Sequence, residues 1–162
     1  MLPEVSRLAA DMTELARVRI TGLNRRVMRM ALLGGVPLYA TLILGCPFLL
    51  KIWLGKQFEP SLPGVFQVIA VGTFLSLIGV PAFYTLMGLG RADCVFLAHL
   101  VQGTINAVLL VGLLLMGVPM SATIVAWSVL VSMGGATLYL LWEKQRMLSS
   151  DAWQLHFAGV GS

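Results

Sequence analysis

The sequence predicts an all-α, polytopic membrane protein: four transmembrane helices preceded by a cytoplasmic amphipathic helix. Three observations carry that reading. Of 162 residues, 58% are hydrophobic and only 11% charged, against about 25% charged in an ordinary soluble domain. Residues 65–89 and 94–116 contain no charged side chain and are separated only by Gly90, Arg91, Ala92 and Asp93. Each of these runs exceeds the roughly 20 apolar residues that cross a bilayer core. Two further apolar runs flank the pair, and Lys and Arg gather at their ends.

Residues 1–29 are mixed in character. Val5, Leu8, Met12 and Leu15 recur at helical spacing opposite Arg7, Asp11, Glu14 and Arg17, the pattern of an amphipathic helix lying on a membrane face. Glu4 and Asp11 interrupt the start, and no apolar core with a small-residue cleavage pattern follows, so the stretch does not read as a signal peptide. Arg19, Arg25, Arg26 and Arg29 then form a basic collar.

The four-helix transmembrane region is expected over residues 30–146, with spans at about 30–53, 65–89, 94–116 and 121–142. Pro37 and Pro47 predict a kinked first span, since each removes one backbone hydrogen bond. Lys51 can snorkel to the interface beside Trp53. The segment 55–64, with Pro60 and Pro63, reads as a loop on the far side. In the second span Gly72, Ser76 and Gly79 allow close helix approach, and Pro81 predicts a bend. Gly90 is placed to end that helix in a left-handed cap. The loop 117–119 is very short. In the fourth span Ser128, Ser132 and Ala136 recur every four residues as a helix-packing face. Residues 147–162 are too short and polar to span, and form a cytoplasmic tail.

Sidedness follows from the cations. Arg7, Arg17, Arg19, Arg25, Arg26, Arg29, Arg91, Lys144 and Arg146 lie at the N-terminal segment, the Gly90 turn and the C-terminal end; Lys51 and Lys56 alone flank the first far-side loop. The positive-inside rule therefore puts both termini and the Gly90 turn in the cytoplasm. Membrane orientation also accounts for the +4 net charge better than nucleic acid does, because no basic groove with stacking aromatics is present. Cys46 and Cys94 have no metal or disulfide spacing and read as buried free thiols.

The most polar spine lies in the third span, where His99, Gln102 and Asn106 share one face and Gly103 and Ala107 leave room beside them. Such residues are costly in lipid and must point into protein or water. Two readings stay open: hydrogen bonding between helices, or the wall of a polar cavity through which a hydrophilic headgroup passes. No enzyme constellation is visible. The acids Glu4, Asp11, Glu14, Glu59, Asp93, Glu143 and Asp151 all fall outside the expected membrane core, which argues against catalysis, metal binding or a cofactor. No Gly-rich phosphate loop has the strand and helix context it needs.

The order of these features resembles the multidrug/oligosaccharidyl-lipid/polysaccharide flippase superfamily, specifically the C-terminal lobe of its polysaccharide and lipid-linked oligosaccharide flippases. The residues that carry the resemblance begin with Leu2, Pro3, Glu4, Val5, Ser6, Arg7 and Leu8 leading to Asp11. They continue with Pro37, Trp53, Leu54, Gly55 and Phe58, then Leu89, Gly90 and Arg91 at the turn, and Asn106. The resemblance implies part of a flippase that moves a polyprenyl-linked saccharide to the outer leaflet of the cell (inner) membrane. Arg25, Arg26, Arg29 and Arg91 would then attract its anionic pyrophosphate headgroup. Such flippases have roughly twelve or more spans in two lobes, so the four spans are expected to be a fragment, with a missing N-terminal lobe or other membrane helices as partners. Two alternatives stand beside this: a non-transporting four-helix module that packs on partner helices, and a fragment of a multidrug/cation antiporter. No coupling acid for an antiporter lies in the expected spans.

Overall fold

A computed structural model of the chain describes residues 3–6 and 14–149. Residues 3–6 form a helical turn. Four long helices follow: α1 (Glu14–Leu54), α2 (Leu62–Gly88), α3 (Ala92–Leu115) and α4 (Ala122–Met147). All four are long and apolar enough to cross a membrane.

The basic segment does not form a helix of its own within the described residues. Residues 14–29 run without a break into the apolar stretch, giving a single α1 of 41 residues. No glycine or proline lies between Leu23 and Met30 to stop the helix. At 1.5 Å per residue α1 is about 60 Å long, roughly twice a hydrocarbon core. Its basic turns therefore project beyond any bilayer that holds Met30 to Leu50. Residues 7–13 of the expected amphipathic segment, and 150–162 of the expected tail, lie outside the described residues.

The helix ends follow from local chemistry. Gly90 has φ +76°, and its N–H donates to Met87 O at 3.1 Å while Arg91 N–H donates to Leu86 O at 2.9 Å. This is the paired C-terminal cap that a left-handed glycine permits. Gly117, at φ +74°, closes α3 in the same way, with Val118 N–H donating to Leu113 O at 3.1 Å. Ser121 opens α4 by accepting the Ile124 N–H on its Oγ at 3.3 Å, an ordinary N-cap.

The helices lie side by side in the order α1, α2, α4, α3. The α2–α3 hairpin is therefore splayed: its helices meet near the Gly90 turn, and α4 is wedged between them along the rest of their length. Small residues make room for the wedge. A Cβ at Gly72 would come within 3.1 Å of Met133 Sδ and 3.6 Å of Leu130 Cα, and one at Gly79 within 3.4 Å of Thr137. Thr137 Oγ1 also donates to Leu75 O at 3.4 Å. On the other side of α4, Gly135 faces Ile105 of α3. In a bilayer such contacts rest on close packing rather than on the hydrophobic effect.

Among the described helices, α1 packs along α2 only. Gly35 lies against Leu77 and Phe74, and the Tyr39 and Phe74 rings are 5.4 Å apart. Pro47 cannot donate to the carbonyl of Ile43, and Gln67 Nε2 of α2 reaches across to that carbonyl at 3.0 Å. At the basic end the helices are closed by one cluster that includes Val5, Ile20, Leu86, Cys94, Leu140 and Met147. Val5 sits directly on Gly88, where a Cβ would lie 2.6 Å from its Cγ1.

Candidate functional site

The polar spine of α3 divides into two. Asn106 is half-buried and accepts a hydrogen bond on Oδ1 from Ser128 Oγ of α4 at 2.8 Å. The same hydroxyl lies 2.8 Å from Val125 O of its own helix. Asn106 thus joins α3 to α4. His99 is exposed, and its ring stands edge-on to Phe83 at 6.4 Å between centroids. Gln102 is half-buried. Gly103 and Ala107, which share this stripe, are exposed as well. The stripe is therefore partly uncovered by the chain's own helices.

Ser128, Ser132 and Ala136 are all buried on α4. Ser132 Oγ donates to Val129 O at 2.8 Å, so its polarity is satisfied within α4 and only its small size meets the neighbouring helices.

The basic collar also divides. Arg25, Arg26 and Arg29 are exposed on α1. Arg25 and Arg29, together with Lys144 of α4, line a cleft of about 1160 Å³ between the basic half of α1 and the C-terminal turns of α4. Arg26 is not among its lining residues. Arg91 is engaged elsewhere. Its Nε and Nη2 hold the Asp93 carboxylate at 3.0 and 2.9 Å, and its Nη2 and Nη1 donate to Cys94 Sγ at 3.0 Å and Met147 Sδ at 3.2 Å. The hydrogen bond to Asp93 holds the guanidinium above its ordinary pKa, more than the desolvation opposing it. Arg91 therefore pins the Gly90 turn to the end of α4, with its charge already paired.

Two residues outside the sequence reading matter here. Gln67 replaces the donor that Pro47 lacks; the proline signalled the need for one, but its source depends on how α1 and α2 register. Asn24 is 4% exposed, lines the cleft, and has a partner for neither Nδ2 nor Oδ1 among the described residues. Leaving a buried amide unpaired costs about 1 to 3 kcal/mol. A single Asn between Leu23 and Arg25 gives no periodic signal, which is why it escapes a pattern-based reading. Cys46 and Cys94 are buried free thiols.

The described residues define the class as far as an all-α protein with four helices long and apolar enough to cross a membrane. No family model, curated protein or solved structure matches the chain.

Proposed function

We propose that the chain is part of a membrane flippase exporting lipid-linked oligosaccharide or polysaccharide precursors across the cytoplasmic membrane. Both termini and the Gly90 turn lie on the cytoplasmic side in this reading, as the bias in Lys and Arg requires. The observation that carries it is the uncovered stripe of α3. His99 is exposed and Gln102 half-buried on a helix built to cross a membrane, and polar side chains at that depth need water or protein rather than lipid. Partner helices facing the stripe across a hydrated gap would complete a cavity wall for a saccharide headgroup. No bond is broken in such a process. Amide and imidazole groups exchange hydrogen bonds with the passing headgroup, while the cations at the cytoplasmic end attract its pyrophosphate.

The test is export of the lipid-linked saccharide in cells that carry the complete assembly. His99→Leu and Gln102→Leu should each lower export while the amount of folded chain in the membrane stays the same. If both variants export at the parental rate, the cavity reading fails. The module reading has its own support in the tie between Asn106 and Ser128, which joins helices without any substrate. It predicts that the two leucine variants are silent and that Asn106→Leu weakens the bundle.

A further inference from the structure

The cleft between α1 and α4 carries an independent inference, which holds whether or not the chain transports anything. Among the described residues three cations line it, Arg25, Arg29 and Lys144, and no acidic side chain does. None of the three is ion-paired among the described residues; Glu143, one residue before Lys144, is turned to Arg146 at 3.6 Å. Against this charge lies Asn24, almost wholly buried and, among the described residues, without a partner for either amide atom. Its helix supplies no bond, and a buried amide of this kind is normally satisfied. Leu32, Leu33 and Leu141 line the same cleft, so its wall changes from cationic to apolar. At about 1160 Å³ it exceeds the roughly 300 to 1,000 Å³ of ordinary small-molecule sites.

We infer that this cleft is a binding site for an anionic phospholipid of the bilayer, with the buried Asn24 side chain rotating out of the wall to donate from Nδ2 to a phosphate oxygen, Arg25, Arg29 and Lys144 supplying the counter-charge, and the leucines receiving the start of the acyl chains. A free phosphate would account for the cations and the amide. It would leave the leucine wall without an occupant, and so the geometry points to the lipid.

The full chain, reconstituted in phosphatidylcholine vesicles containing a minority of phosphatidylglycerol, provides the test. The protein is extracted and the phosphatidylglycerol that remains bound is counted by native mass spectrometry. Wild type should retain it. Asn24→Leu and Lys144→Gln should each lower apparent affinity about tenfold, the equivalent of one charge-assisted hydrogen bond, and Arg26→Gln should leave it unchanged. Helical content and oligomer mass, measured on every variant, identify any that fail to fold, and the two variants on different helices provide separate routes to the same result. Equal losses in Arg26→Gln would reduce the effect to diffuse charge and overturn the site. So would displacement of the lipid by inorganic phosphate alone, which would assign the cleft to a free anion. Retention of phosphatidylglycerol by both Asn24→Leu and Lys144→Gln would overturn it as well, leaving the cleft to a partner helix.

Discussion

At the scale of single residues, a donor borrowed from a neighbouring helix replaces the one that Pro47 lacks. Pro47 leaves Ile43 O without its backbone donor, and Gln67 Nε2 supplies one from the adjacent helix at 3.0 Å. Pro37 and Pro81 free the carbonyls of Leu33 and Leu77 instead; Thr41 Oγ1 and Thr85 Oγ1 bond the prolines' own carbonyls at 2.8 and 2.7 Å, the ordinary back-bond of a helix hydroxyl. The cross-helix case makes a specific prediction. Gln67→Leu should destabilise the purified chain by about 1 to 2 kcal/mol in denaturant titration, because an acceptor is left unpaired. Pro47→Ala should remove most of that loss in the double variant, since residue 47 then donates to Ile43 O itself. Equal losses with and without Pro47 would mean that the glutamine acts through its bulk.

At the scale of elements, α4 holds the bundle together. It touches α2 through small residues and α3 through one side-chain hydrogen bond, and the two contacts should respond differently to mutation. Ser128→Ala and Asn106→Leu remove the same bond, so their effects on stability should be non-additive by about 1 kcal/mol in a double-mutant cycle. Additivity would show that the bond contributes nothing. At Gly72 the opposing surface includes the α4 backbone, with Leu130 Cα 3.6 Å from where a Cβ would stand. Gly72→Leu should then separate α2 from α4 and cost about 1 to 3 kcal/mol, read as an earlier unfolding midpoint. Gly135→Ala, by contrast, meets only the flexible end of Ile105 and should be tolerated.

At the scale of the whole molecule, the row α1, α2, α4, α3 leaves broad apolar faces outward, with Leu44 81% and Leu115 82% exposed. Lipid or partner helices must cover them. The orientation of that row is open to direct measurement. With Cys46 and Cys94 replaced by alanine, Lys56→Cys and Ser121→Cys should react with a membrane-impermeant thiol reagent in intact cells. Ser149→Cys should react only after permeabilisation. The reverse pattern would place the cation-rich end outside and overturn the sidedness argued from Lys and Arg.

The four long apolar helices were legible in the sequence, because uninterrupted apolar length is a property of the chain alone; that the basic segment would run into the first of them was not. So was the turn at Gly90, where a positive φ calls for glycine. The third span announced its polar residues for a related reason: a side chain such as His99 or Asn106 stands out against apolar neighbours. What each does was not legible. Asn106 meets Ser128 and Gln67 meets Ile43 only because particular helices became neighbours in a particular register, and no local pattern encodes that choice. The splayed hairpin has the same origin. Chain connectivity pairs α2 with α3, and close packing of Gly72 and Gly79 against α4 overrides it. Even the basic collar looked uniform until the fold turned Arg25 and Arg29 toward a cleft and left Arg26 outside it. Composition and run length settle which segments can cross a bilayer, whereas side-chain partners are settled by helix order and register, which arise only when all four helices pack together.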